Sequence, residues 1–510
     1  MGIPESESSA SKDLGQRSAV AFSWGLFSSL AKVLLTLVVQ AVLARLLGPE
    51  EFGLFALGML VMGVASYFAD MGVATSLVQK TQVSKTDIRF VLTVNLLSSV
   101  AVGGLVVALA GPLAFVFGKP QAQGIFLGLA PVFVINAMAT VSTSLLRREL
   151  DYRSIQFANL TGYIIGFGLI GISVAVVVGS VVALVAAYLC QASITLALLY
   201  ARTRHPIGLS LRTGDRQGFI GFGATVLITN LVNCGVASLD RLLVGRIFSI
   251  DTLGYYSAAY NLVHAPVAAL YPNLQSTIFS SLARMQGDTM RMRFAYLELL
   301  RAVTVVFLPV FFGLYFFSGL LVRVVYGSRW TEAAMIAEPF SLMAPFLLIW
   351  ACSTPVLWNT GRRSSEWQLQ LPFIALALLA IVPAAGISIQ AVAWVSTAIC
   401  IARTVAIVAL ACQALGIATG SFLRSVLPSL WMSLLIGLTA FVSARWLQSI
   451  ELPAAVQLLL GLAVIGSALL LCILASPTSL PPTARQVIGR LTAAAPAWLR
   501  PMLNRLSTAA

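Results

Sequence analysis

Two stretches, read together, decide the architecture. One is Asp240-Arg241-Leu242-Leu243-Val244-Gly245-Arg246-Ile247-Phe248-Ser249-Ile250-Asp251-Thr252-Leu253-Gly254-Tyr255-Tyr256, and the other is Arg45-Leu46-Leu47-Gly48-Pro49-Glu50-Glu51-Phe52-Gly53-Leu54-Phe55. Each is a short charged turn between two long apolar runs. With Arg45 set on Arg246, Leu46-Leu47 fall on Ile247-Phe248, Glu50 on Asp251, Phe52 on Leu253, Gly53 on Gly254 and Phe55 on Tyr256, without a gap. A gap-free register at an offset of 201 residues argues for an internal duplication.

The composition says what kind of chain repeats itself. Of 510 residues, 59% are hydrophobic and only 10% are charged, against about 25% charged in a soluble domain. So few charges cannot cover a water-facing surface, which makes this an all-α polytopic membrane protein. Duplicated halves in such a chain are the layout of a two-lobed transporter. The formal net charge of +14 would suggest nucleic acid in a soluble protein. No basic run here carries interleaved aromatics, however, and Lys and Arg mark cytoplasmic loops. No nucleic-acid partner is expected. The six cysteines stand singly inside apolar runs without a CxxC pair, which predicts neither a metal site nor a disulfide framework.

A spanning helix needs about 20 mainly apolar residues. Such runs predict 14 transmembrane helices near 19–44, 53–77, 88–112, 122–146, 155–178, 181–201, 217–241, 253–279, 294–318, 333–357, 367–385, 387–412, 424–446 and 453–475. With a cytoplasmic N-terminus, 22 of the 32 Lys and Arg residues fall inside, 7 outside and 3 within helices. That bias supports the even count and places both termini in the cytoplasm. Arg45 follows the first helix and Arg246 the seventh, so the repeat unit is six helices. An even unit preserves direction, and the lobes relate by a pseudo-two-fold axis along the membrane normal. Phe117-Gly118 before the fourth helix echoes Tyr326-Gly327 before the tenth. The expected organisation is a cytoplasmic tail over 1–18, an N-lobe over 19–204 (helices 1–6) and a cytoplasmic interlobe loop over 205–216. A C-lobe over 217–415 (helices 7–12) follows, then helices 13–14 over 424–475 and a basic cytoplasmic tail over 476–510.

Charges within hydrocarbon are costly and usually face a cavity or a partner. Lys32 lies near the middle of the first helix, with Thr36 and Gln40 on the same face at i+4 and i+8. The 201-residue offset carries Lys32 onto Asn233, and Asn230 stands three residues before it. The same offset sets Asp70-Met71-Gly72 on Tyr271-Pro272-Asn273. Gly72 and Pro272 are therefore expected as helix breaks in corresponding positions, a pointer to a transport site. The alternative is that they are packing residues common in membrane helices. His264 suits either an anionic ligand and proton relay or a buried neutral imidazole. Arg403 is a further cavity candidate, whereas Glu298 and Arg301 form an i,i+3 pair. Arg45, Asp240, Arg241 and Arg246 are expected at the outer face as a joint or gate between lobes. No catalytic signature is present: neither HExxH, nor GxSxG, nor a Walker loop occurs.

At this point the segments show a resemblance. DRLLVG followed by LGYYSAAY, the earlier LARLLGPEEFGLFAL, and FADMGVATSLVQK resemble the polysaccharide transporter (Wzx-type flippase) family of the multidrug/oligosaccharidyl-lipid/polysaccharide exporter superfamily. The resemblance runs over helices 1–12. It implies a flippase in the bacterial inner membrane that moves undecaprenyl-pyrophosphate-linked oligosaccharide units to the periplasmic leaflet for exopolysaccharide, capsule or O-antigen synthesis. It further implies two lobes rocking around a cationic cavity, with Lys32 and Arg403 as the matching cations. The partners so implied are the lipid-linked oligosaccharide, membrane lipids, and the polymerase and export machinery. No cofactor is implied beyond a coupling ion, H+ or Na+. The alternatives are a cation-coupled drug or metabolite antiporter of the same superfamily and, from another class, a membrane polysaccharide polymerase or glycosyltransferase. Short outer loops weigh against the last.

Overall fold

A computed structural model describes residues 33–482 except 71–72, 80–82, 150, 212–215 and 286, together with Arg485; side chains are not described at 75, 76, 79, 216–230, 237, 280 and 363. Every regular element among the described residues is helical. The N-lobe contains α1 (Val33–Leu46), α2 (Pro49–Asp70), α3 (Val73–Gln79), α4 (Lys85–Val116), α5 (Ala122–Leu129), α6 (Pro131–Arg148), α7 (Tyr152–Tyr163), α8 (Ile172–Val178) and α9 (Val182–Thr203). A π-helical turn over Ile164–Gly171 joins α7 to α8. The C-lobe contains α10 (Arg216–Ile247), α11 (Ile250–Ala283), α12 (Thr289–Tyr326), α13 (Thr331–Asn359), α14 (Arg363–Ala385) and α15 (Ile389–Leu415). Beyond it lie α16 (Thr419–Gln448) and α17 (Ala454–Ala475). Each of the 14 predicted segments overlaps described helix, and among the described residues 11 helices are long and apolar enough to cross a membrane. The chain is a multi-pass membrane protein.

Local chemistry sets the boundaries. Ser84 and Asp87 form a reciprocal capping box at the start of α4, at 3.0 and 3.1 Å, satisfying two end N–H groups. Asp151 caps α7 through the Ser154 amide and hydroxyl, which hold its carboxyl below the usual carboxylate range. Gly179 adopts a left-handed conformation (φ 63°) to separate α8 from α9. The interlobe loop starts tied to the N-lobe, with His205 Nε2 3.1 Å from Ser142 Oγ. Burial there pushes the imidazole below its ordinary value.

The core of the C-lobe is α13. Its membrane-length window is 83% buried, against 17–44% for the other spans, because α11, α12 and α15 surround it. α16 and α17 pack on α12. Arg301 does not pair with Glu298 as the i,i+3 spacing suggested. It donates instead to the Thr478 and Ser479 carbonyls, the latter at 2.8 Å, and pins the turn after α17 to α12.

A second correction concerns Pro272. α11 continues without interruption through Pro266 and Pro272, so Pro272 is not a helix break. Proline leaves the backbone around it short of hydrogen bonds, and the Asn273 side chain bonds the Ala269 carbonyl at 3.1 Å. Gly72 lies outside the described residues.

The duplicated turns meet. A Cβ at Gly53 would lie 2.0 Å from the Ile250 carbonyl oxygen, and a Cβ at Gly254 would lie 2.0 Å from the Pro49 carbonyl oxygen. Pro49 and Ile250, like Gly53 and Gly254, are 201 residues apart, so the two lobes touch through equivalent atoms. Around this point α2 packs along α10 and α11. Trp330 Nε1 donates to the Ala44 carbonyl at 3.1 Å, its ring meets Phe52 edge-on at 5.3 Å, and Arg45 donates to the Val324 carbonyl at 2.6 Å. Gly118 (φ 64°) and Gly327 (φ 96°), both at positive φ, follow the corresponding long helices α4 and α12.

Candidate functional site

The buried polar residues of the C-lobe form two adjoining clusters. The first starts where α10 approaches α11. Asp240 is buried and accepts the Tyr256 hydroxyl at 2.8 Å and the Arg241 amide at 2.8 Å. Tyr256, fully buried, lies 3.3 Å from Ser396 Oγ on α15. The Arg241 guanidinium sits over the Tyr260 ring at 4.5 Å, a cation–π contact. His264 stacks on the same ring at 4.1 Å, and its Nδ1 lies 2.9 Å from the Tyr260 carbonyl.

Asp240 and Arg241 sit about two turns before the end of α10, within the helix rather than in the turn that follows it. The reason is visible in their partners. A carboxylate and a guanidinium enter an apolar bundle only when paired and hydrogen-bonded, and Tyr256, Tyr260 and Ser396 supply those contacts. Removing the phenol hydroxyl should therefore be costly. Tyr256→Phe is expected to destabilise the protein by about 2 kcal/mol, the cost of leaving a buried acceptor short of a partner. Thermal unfolding in detergent checks this, and an unchanged midpoint would count against the cluster.

The second cluster lies where α10, α11, α13, α14 and α15 converge. Arg403 is 8% exposed, stacks on Trp350 at 4.6 Å and donates from Nη1 to Gln370 Oε1 at 3.4 Å. Its Nε has no hydrogen-bond partner among the described residues. Gln370 Nε2 in turn donates to Asn233 Oδ1. Glu366, one turn earlier on α14, is buried and accepts the Trp358 indole N–H. Tyr271 packs with Trp350 and Leu357. Between the two clusters opens a cavity with about 60 Å³ of space for water, lined by Asp240, Tyr260, Ser396, Cys400 and Arg403 among apolar side chains. One water occupies about 10–15 Å³ on that measure, so the cavity admits a few waters and not a sugar.

The structure thus brings together Asn233, Tyr271, Asp240 and Arg403, and it sets other predicted residues apart. His264 is 4% exposed and packed between Tyr260 and Phe340, away from the cavity lining. Gln40 accepts the Tyr326 hydroxyl at 3.3 Å across the lobes, and Thr36 bonds Tyr163. Both belong to packing contacts near the duplicated turns. Arg45 is there too, whereas Arg246 is exposed. Asp70 lies in the N-lobe. Lys32 is outside the described residues, and Asn230 lies in α10 where side chains are not described. Ser396, Gln370 and Glu366 were missed by the sequence reading. Glu366 and Gln370 share an i,i+4 face, but the predicted helix began one residue after Glu366.

Comparison with known proteins now gives this geometry its setting. The model of the family described as polysaccharide biosynthesis protein matches residues 42–335. The chain is 23% identical over 327 residues to the Escherichia coli (strain K12) lipopolysaccharide biosynthesis protein WzxC, covering 64% of this chain and 66% of that protein. It is 22% identical over 445 residues to the Bacillus subtilis (strain 168) teichuronic acid biosynthesis protein TuaB, covering 86% and 92%. It is 23% identical over 389 residues to the Rhizobium meliloti (strain 1021) succinoglycan biosynthesis transport protein ExoT, covering 76% and 77%. Among solved structures it resembles the lipid II flippase MurJ in an inward closed conformation, with TM-score 0.68 at 15% identity over 87% of this chain and 97% of that one. It also resembles an inward-facing MATE-family multidrug transporter, with TM-score 0.59 at 13% identity over 77% and 98%. A family match across more than half the chain, on a fold shared with these transporters, means that this chain belongs to the polysaccharide biosynthesis protein family.

Proposed function

We propose that the protein is a flippase that carries undecaprenyl-pyrophosphate-linked oligosaccharide units from the cytoplasmic to the periplasmic leaflet of the bacterial inner membrane, by alternating access between its lobes. The observation that carries this reading is Arg403: a buried guanidinium that lines the cavity and whose Nε has no hydrogen-bond partner among the described residues, inside a fold of this family. A pyrophosphate needs cations and hydrogen-bond donors in a site shielded from bulk water, and Arg403, Tyr260 and Ser396 offer both. The polyprenyl tail stays in lipid while the head group crosses. The cavity is lined by C-lobe helices alone and is too small for that head group in the conformation described, so loading requires those helices to move apart. Lys32, at the N-lobe position equivalent to Asn233, is the second cation in this reading. Closure at the duplicated turns would seal the periplasmic side.

Reconstitution tests the proposal. Liposomes holding the purified protein and a fluorescent lipid-linked oligosaccharide should transfer the label between leaflets at least tenfold faster than protein-free liposomes. Lys32→Ala should lose most of that gain while inserting normally. Transfer equal to protein-free liposomes, with export of dyes or drugs in its place, would favour the antiporter reading.

A further inference from the structure

One helix of the C-lobe is fastened differently from its neighbours. α11, α12 and α15 pack along the buried α13, whereas α10 packs chiefly on α14 of its own lobe and on α2 and α3 of the other. Val236, Leu239 and Asp240 of α10 nevertheless form one wall of the Arg403 cavity. α10 therefore stands between that cavity and the N-lobe.

A polar link holds α10 on α14. Gln370 of α14 is 1% exposed and uses both ends of its amide. Its Nε2 donates to Asn233 Oδ1 on α10, and its Oε1 accepts from Arg403 Nη1 on α15 at 3.4 Å. Asn233 also bonds the Glu366 side chain, one turn earlier on α14. The apolar contact beside this link is loose: a Cβ at Gly235 would approach no atom closer than Ile374 Cδ1, at 3.9 Å. Apolar helix faces in a membrane gain little by meeting each other rather than lipid, whereas a buried amide left without partners is costly. The Asn233–Gln370 pair, rather than the apolar contact, therefore sets the preference for a closed α10.

The same amide is tied to the buried cation. A diphosphate oxygen that takes Arg403 competes with Gln370 Oε1 for Nη1, the longer bond of the chain. The cavity admits only a few waters as it stands, so a diphosphate enters only when a wall moves. α10 is the wall that is not built onto α13. Binding and opening are then linked. A ligand that needs the open state has its apparent affinity reduced by the fraction of molecules that are closed, and that fraction depends on the Asn233–Gln370 bond.

We infer that Asn233 and Gln370 form a latch that holds α10 over the Arg403 cavity, and that release of this latch admits a diphosphate group. The inference rests on reading Arg403 as the diphosphate site. Asn233 is then a positioning residue that acts through α10. The sign of its effect separates this from a framework role. A latch residue opposes binding, so its removal tightens the ligand, whereas a residue that only aims Arg403 weakens the ligand when removed.

The test uses the full chain in nanodiscs and two of its own cysteines. Cys400 lines the cavity, while Cys352 on α13 is 0% exposed and lies outside that lining. A water-soluble maleimide is added, and the modified positions are located by peptide mass spectrometry. Asn233→Leu and Gln370→Leu should each raise the rate of Cys400 labelling about fivefold, the scale of one hydrogen bond, with Cys352 unlabelled. The double variant should add little to either, because both remove the same bond. Either single variant decides the labelling should the other fail to fold. Asn233→Leu should also lower, about fivefold, the inorganic pyrophosphate concentration that half-saturates the shift in unfolding midpoint. Wild-type Cys400 labelling in the variants, or Cys352 labelling that rises in step with it, would overturn the latch. Pyrophosphate binding that is unchanged or weakened in Asn233→Leu would overturn it in favour of a framework role. A pyrophosphate response that is absent from the wild type, or kept in Arg403→Met, would sink the Arg403 reading, and Cys400 labelling would still decide the latch.

Discussion

Gly254→Val is expected to abolish polysaccharide export in a strain that depends on this protein, while the chain still inserts and accumulates. The Cβ added at 254 would stand 2.0 Å from the Pro49 carbonyl oxygen, 2.9 Å from its carbon and 3.0 Å from the Gly53 nitrogen. All three are backbone atoms, so no rotamer change relieves the clash. The helices must separate, and separation removes the contact between lobes at the duplicated turns. An overpacking cost of about 3 kcal/mol lowers the population of that closed arrangement roughly a hundredfold, at about 1.4 kcal/mol per tenfold. Gly53→Val should behave alike, because its Cβ meets the Ile250 carbonyl at the same distance. Gly48→Ala supplies the control: nothing lies within 4 Å of a Cβ there. Polymer yield by immunoblot, with protein level measured in parallel, decides the matter. Wild-type yield from Gly254→Val would show that closure at this point is dispensable.

Arg403→Met should separate stability from transport. The methionine keeps an unbranched stem against Trp350 but removes the charge. Replacing a buried charge by an apolar residue of similar shape is often neutral or stabilising, so the unfolding midpoint should hold or rise. Leaflet transfer should fall by about tenfold to a hundredfold, since a charge-assisted hydrogen bond contributes about 1.5–3 kcal/mol. Arg403→Lys should recover little, because a compact ammonium neither stacks on Trp350 nor presents a planar fork. A variant that loses stability and transport together would instead place Arg403 in the framework. Retained transfer in Arg403→Met would remove it from the substrate path.

The membrane architecture was legible from residue types alone. Length and hydropathy gave the helices, and the match of Gly53 to Gly254 gave the equivalent turns through which the halves touch. Side-chain burial within a lobe was not. Asp240 and Arg241 look like loop residues beside Arg246, because a charged pair in an apolar run reads as a boundary. Only the placement of Tyr256, Tyr260 and Ser396, up to 156 residues away in the chain, turns that pair inward. Gln370 raised no signal because a single amide in α14 is unremarkable until Asn233 and Arg403, on two other helices, prove to be its partners. Pro272 misled for the opposite reason: the residue breaks isolated helices, yet α11 is held by packing on α2 and α13 along its length.

The contact between the duplicated turns has a consequence for how this protein arose. In a symmetric dimer, an isologous interface requires that residue i of one subunit meet residue j of the other and that j meet i in return. Pro49 with Gly254 and Gly53 with Ile250 obey that rule once the 201-residue offset is removed. The junction therefore has the form of a homodimer interface retained inside one chain. A six-helix unit pairing with a second copy of itself through this glycine would make the same two contacts.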